Sequence, residues 1–252
     1  MIFTTYLIII LGDDRRKITH DFTPFALKAY RGLCYNTENY VFCSAIQAIY
    51  RIVLVYSVSV DEQHRLCDIL MRDMNLTKFG VLLCMYTGIR IGEVCALKWE
   101  RIDFSEGILS IRETLQRIQA TDVGACKKTK IVITEPKSKK AVRDIPLPGF
   151  VLEYAASLKH NPKAYILTGC SDRYIEPRSL QYTFKKYTQE CGLTDVNYHA
   201  LRHTFATRCI ELGFDVKTLS ELLGHSSVNI TLNRYVHSSM DTKKTNMQRL
   251  TL

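Results

Sequence analysis

Apolar positions in the C-terminal part of the chain recur at the three- and four-residue spacing of helices that bury one face. Over residues 198–235, YHALRHTFATRCIELGFDVKTLSELLGHSSVNITLNRY, one such stripe contains Leu201, Phe205, Cys209, Leu212, Leu219, Leu222 and Leu223. Gly224 stops a helix over 218–223 in a left-handed cap, and a further helix runs from Val228 to Tyr235. Upstream, Asp61 caps a helix with Leu66, Ile69 and Leu70 on its apolar face, and a more buried helix follows over 75–86. Thr87-Gly88 interrupts the pattern. The next helix is predicted over 90–99, which puts Arg90 in its first turn with Glu93 one turn on. Helices over 149–158 and 179–191, the latter stopped by Gly192, complete the helical set.

After Trp99 the period changes from helical to alternating. Residues 108–112, 130–134 and 142–145 read as short antiparallel strands, residues 136–141 as the turn between the last two, and residues 165–167 as a further strand. The fold class is therefore α+β, mainly helical, with a small antiparallel three-stranded sheet. The N-terminal part is harder to read. Its apolar run over 6–11 is too short to span a bilayer, and the run over 40–60 carries Gln47, Arg51 and several serines, so it reads as buried protein structure. Residues 52–60 have the β-branched enrichment of a strand as much as a helix. A boundary falls near residue 60, between a short N-terminal region, 1–60, and a larger domain, 61–252.

Composition adds two constraints. The 252 residues carry a net charge of +9, which favours a polyanionic partner such as nucleic acid without excluding acidic substrates or membrane surfaces. The nine cysteines show no C-x-x-C spacing and sit among apolar neighbours, the pattern of buried free thiols in a reducing cytoplasm.

The polar residues within the apolar stripe need a separate explanation. His199 and Arg202 lie three apart and project from one helical face, whereas His203 points elsewhere and reads as structural; His225 sits at the mouth of the next turn. Arginine and histidine grouped with a tyrosine suit an anionic phosphorus group, because the guanidinium is a rigid fork of donors that keeps its proton. One arginine is too few for that task. Arg90 is the candidate second, held by Glu93 among Ile89, Ile91 and Val94. The turn PKSKKAVR supplies Lys137, Lys139, Lys140 and Arg143, a density normal for a solvated loop and equally fitted to a phosphate backbone.

Arg90 in TGIRIGE, Lys137 in the strand-turn-strand segment, His199 and Arg202 in HALRH, His225 in LLGHSS and Tyr235 in LNRY together resemble the tyrosine recombinase family of phage-type integrases. The likeness covers roughly residues 61–240 in motif order and spacing. It implies the catalytic fold of that family for 61–252, and DNA cutting and rejoining through a 3′-phosphotyrosyl intermediate. By the same resemblance Tyr235 is the nucleophile and Arg90 and Arg202 clamp the phosphate. His225 donates a further hydrogen bond, Lys137 protonates the leaving 5′ oxygen and His199 assists proton transfer. Glu93 and His203 stand behind these residues, with Lys139, Lys140 and Arg143 on the DNA backbone. No metal or cofactor is implied. The implied partners are double-stranded DNA attachment sites, three further copies of the chain on two duplexes, and accessory DNA-bending proteins, in the bacterial cytoplasm or nucleoid and not at a membrane.

The N-terminal region departs from the family pattern. Members that encircle DNA carry a helical core-binding domain there, and residues 1–60 are short for one, so they read as a truncated, divergent or wrongly translated segment. Two rival functions remain. Residues 216–235 also pass as a helix-turn-helix of a non-catalytic DNA-binding regulator, and a type IB topoisomerase shares the phosphotyrosyl chemistry.

Overall fold

The structure is a computed structural model that describes residues 58–119, 129–136, 138–193, 196–235 and 247–248. These fall in one unit, Tyr56–Leu252, and the expectations for residues 1–57 and 236–246 lie outside them. Helix α1 (Val60–Met71) begins at Ser59 rather than at Asp61: the Ser59 hydroxyl accepts from the Glu62 amide, and the Glu62 carboxylate accepts from the Ser59 amide. This reciprocal capping satisfies two donors at once, which a lone aspartate in the first turn does not. Helix α2 (Leu76–Thr87) is capped by Asn75, whose side chain accepts from the amides of Thr77 and Lys78. Its Phe79, Val81, Leu82, Leu83 and Cys84 are fully buried, so α2 is the central element of the main core.

Gly88 ends α2 in the left-handed region at φ +63°. A β-carbon there would lie 2.5 Å from Phe205 Cδ1 and 2.9 Å from Leu223 Cδ2, so the turn both needs the left-handed backbone and has no space for a side chain. Gly88→Ala is expected to cost on the order of 2–3 kcal/mol, combining the left-handed penalty with overpacking. Urea denaturation measures it, and an unchanged midpoint would contradict the account.

Helix α3 is short, Ile91–Ala96, and a separate 3-10 turn covers Trp99–Arg101. The single helix predicted over 90–99 is thus broken at Leu97, whose backbone is extended, and Trp99 lies within the core, stacked on Phe79 with ring centroids 5.9 Å apart. Arg90 is the residue before α3, not in its first turn.

The strand region differs from its expected arrangement. β1 (Ile102–Asp103), β2 (Ile108–Ile111) and β5 (Arg143–Pro146) form a three-stranded antiparallel sheet in the order β1-β2-β5. β4 (Thr129–Thr134) does not join it but pairs with the unanticipated β3 (Thr114–Gln119) in a separate two-stranded sheet, Leu115 opposite Ile133. The predicted strand at 165–167 is a single bridge: Tyr165 faces Lys98, and Ile166 donates from its amide to the Leu97 carbonyl at 2.9 Å.

Helices α4 (Gly149–Ser157) and α5 (Pro177–Glu190) cover the core, and α6 (His199–Glu211), α7 (Val216–Leu223) and α8 (Val228–Tyr235) follow. Ala206, Cys209, Leu219 and Leu223 form a second, smaller core, with the Tyr235 ring packed against it. Leu212 leaves the predicted stripe, 77% exposed in the turn after α6. The six described cysteines are all free thiols. Burial pushes the Cys84 thiol up to about 12, which keeps it protonated and unreactive. No helix among the described residues is long and apolar enough to cross a membrane.

Candidate active site

The last carbonyls of a helix have no partner within it and lie at the negative end of its dipole. At the end of α7 every one of them is accounted for. Asp215 caps the start, and Gly224, at φ +64°, turns the chain so that the amides of Gly224 and His225 reach the carbonyls of Glu221 and Ser220. The next three carbonyls each take a guanidinium from a different part of the chain. Arg143 Nε donates to Leu222 O at 2.6 Å, an Arg202 terminal nitrogen to Leu223 O at 2.6 Å, and an Arg90 terminal nitrogen to Gly224 O at 3.3 Å. Lys140 Nζ continues the series on Ser226 O at 3.0 Å.

Glu93 holds two of these arginines. Its carboxylate accepts from Arg90 at 2.8 Å, from the Arg90 amide at 2.8 Å, and from both terminal nitrogens of Arg143 at 2.8 and 3.1 Å. Glu93 and Arg143 are almost sealed from solvent, at 2% and 5% side-chain exposure, whereas Arg90 keeps 39%. Burial alone pushes the Glu93 carboxyl up, but the hydrogen bonds and charge of Arg143, with the charge of Arg90, outweigh it and hold the group below the usual carboxylate range.

Arg202 is buried on α6, its second terminal nitrogen donating to Gly88 O at 2.6 Å. Burial and then the charges of Arg90 and Arg143 push its pKa down to about 9, so it stays charged at neutral pH but in an environment that already holds too much positive charge. Three guanidiniums against one carboxylate make a site that an anion would relieve. Arg202 places two of its five N–H donors on carbonyls.

The remaining polar groups belong to α6, α8 and the turn after α7. His225 is buried, its Nδ1 2.7 Å from the Thr231 hydroxyl of α8. Tyr235, at the end of α8, has its phenol oxygen 2.7 Å from His203 Nδ1. His203 therefore does not point away from the cluster. It is buried, and the exposed His199 ring meets it edge to face at 4.7 Å. The signal was present in the spacing, since residues four apart in a helix share a face as closely as residues three apart.

Of the residues expected in the site, Arg90 and Arg202 converge on the end of α7, where His225 follows, and Tyr235 meets His203 on α6. Lys137 and the side chain of Lys139 lie outside the described residues. Arg143, expected on the DNA backbone, is buried, with four donor contacts to Glu93, Ala141 O and Leu222 O. The sequence placed it in a lysine-rich turn and could not show the carboxylate, 50 positions away, that draws it inward.

The family model described as the phage integrase family matches residues 57–242. A tyrosine recombinase XerC-like protein of Caldanaerobacter subterraneus subsp. tengcongensis is 34% identical over 172 residues, which cover 62% of this chain and 44% of that one. The tyrosine recombinase XerC of Chlamydia caviae is 27% identical over 249 residues, 95% of this chain and 73% of that one. The chain thus spans less than half the length of the first of these relatives. Among solved structures, the Tn1549 transposon integrase in complex with circular intermediate DNA is similar at a TM-score of 0.60 and 25% identity, covering 77% of this chain and 66% of that one. The XerA recombinase, at a TM-score of 0.55 and 22% identity over 78% of this chain and 64% of that one, shares the fold.

Proposed function

The chain belongs to the phage integrase family, and we propose that it is a site-specific recombinase that cuts and rejoins DNA through a 3′-phosphotyrosyl link on Tyr235, in the service of a phage or integrative mobile element. The observation that carries this reading is the convergence of Arg90 and Arg202 on the end of α7, beside His225 and on the helix pair that holds Tyr235.

A DNA phosphate seated against the arginines would put its non-bridging oxygens on rigid, pre-placed donors, where charge develops as phosphorus is attacked. The Tyr235 oxygen forms a bond to phosphorus, and the bond to the 5′ oxygen breaks. The leaving oxygen takes a proton, in this reading from Lys137. His225 adds a donor to the phosphate, and His199, exposed at the start of α6, serves proton transfer at the same centre. The phosphotyrosyl bond keeps the energy of the broken phosphodiester, so attack by a 5′-hydroxyl reseals the strand with no nucleotide and no metal.

A non-catalytic helix-turn-helix over α7 and α8 gives no task to Arg90, which comes from far upstream to bond Gly224 O. The partners under the recombinase reading are double-stranded attachment sites, a tetramer of this chain on two duplexes and DNA-bending proteins, in the cytoplasm. A catalytic domain would occupy residues 61–252.

The test is covalent capture. Nicked duplexes tiling the DNA that flanks the coding region, incubated with the chain and a chelator, are expected to yield a protein–DNA adduct whose peptide map places the link at residue 235. Binding should weaken steeply with salt, since basic groups displace counterions from several phosphates. Salt-insensitive binding with no adduct on any duplex would refute the recombinase reading.

A further inference from the structure

We propose that His203 is the group that takes the proton of Tyr235 as the phenol attacks phosphorus, which leaves His199 to the phosphate; the inference rests on the recombinase reading above. A base must first be within hydrogen-bond reach of the proton it removes. His203 Nδ1 is 2.7 Å from the Tyr235 oxygen, a normal separation for such a bond. The rings are 5.7 Å apart between centroids and tilted by 51°, so the nitrogen approaches the phenol oxygen and not the ring face.

Both partners are held by packing. Tyr235 rests on the small core of Ala206, Cys209, Leu219 and Leu223, and His203 is buried within α6, which contributes two of those residues. Pre-set nucleophile and base, brought together from two helices by a shared core, are the arrangement that activates a weak nucleophile. His199 is placed differently. It is exposed and touches the inner histidine through an edge-to-face contact at 4.7 Å. Arg202 is close enough to Tyr235 for their charges to interact, which favours the phenolate that the base helps to form.

The step balances simply. Neutral His203, with its proton on Nε2, accepts the phenol proton at Nδ1 and becomes imidazolium. The phenol oxygen bonds to phosphorus as the 5′ oxygen leaves with a proton of its own. On rejoining, the imidazolium returns its proton to the departing tyrosine oxygen.

The test uses the full chain and the nicked duplexes that give an adduct. His203→Gln keeps a polar side chain of similar volume but removes the base, and is expected to slow adduct formation about 100-fold, within the range for a lost general base, with gel-shift binding unchanged. Installing 3-fluorotyrosine at position 235 lowers the need for a base because that phenol ionises more readily. It is expected to restore most of the rate in His203→Gln and little of it in His199→Gln. A rate for His203→Gln equal to that of the unaltered chain, or a loss that fluorotyrosine does not restore, would overturn the proposal and make His203 a packing residue. Absence of any adduct from the unaltered chain, by contrast, would remove the recombinase reading and this inference with it.

Discussion

Tyr235→Phe is expected to give no covalent protein–DNA adduct on any duplex that the unaltered chain attacks, while binding those duplexes with the same affinity. The phenol oxygen is the only atom the substitution removes. Its ring stays packed on Ala206, Cys209, Leu219 and Leu223, so the small core persists. The hydrogen bond to His203 that goes with the oxygen is worth on the order of 1 kcal/mol, too little to unfold α8. The arginines that would grip the phosphate are fixed through α2, α3, α6 and α7, none of which needs the phenol. Binding and chemistry should therefore separate cleanly, as read by gel shift and by denaturing gel on the same samples. An adduct that persists in Tyr235→Phe would assign the nucleophile to another side chain.

Glu93→Gln is expected to produce the largest loss of stability among single near-isosteric changes in the site. The carboxylate is the counter-charge to a guanidinium exposed by only 5%, and both groups are hydrogen-bonded in pairs. Removing one member of a buried ion pair leaves the other charged and unsolvated, at about 3–5 kcal/mol. For a unit of this size that lowers the melting temperature by roughly 10 °C. The pH dependence carries the same signature. Glu93 titrates below its ordinary value of 4.5 in the fold, so the folded state binds fewer protons there than the unfolded chain. Its contribution is complete above pH 4.5 and is lost as pH falls through the lower, folded value. Glu93→Gln should accordingly be less stable at neutral pH and show a shallower acid limb. A melting temperature within experimental error of the unaltered chain would contradict the burial argument.

What the sequence conveyed well was local. Helices α2, α4, α5 and α8 are legible because their apolar spacing lies within one stretch, and α2 also carries its own cap, Asn75. Arg202, His225 and Tyr235 are legible because their motifs are contiguous. What it hid were partnerships. β3 carries Gln116, Arg117 and Gln119 with only Leu115 fully buried, so its alternation is weak, and its pairing with β4 is a tertiary fact. Arg143 shares a run with three lysines, and only its distant carboxylate distinguishes it from them. His203 reads as structural in the sequence because the contact that matters is with a helix that starts 25 positions later.

The carbonyls of Leu222, Leu223 and Gly224 that receive the three arginines are main-chain atoms, and this decides which kinds of sequence change the cluster tolerates. Any residue that keeps α7 helical and its packing intact presents the same oxygens, so identity at 222 and 223 is constrained by the cores and not by the cations. Length is another matter. Each residue inserted into or removed from α7 turns its end by about a quarter of a revolution and shifts it by about 1.5 Å, which would move all three acceptors away from their guanidiniums together. The charged centre is thus indexed to a count of residues between Asp215 and Gly224, and drift in that segment should run through substitutions and avoid insertions and deletions.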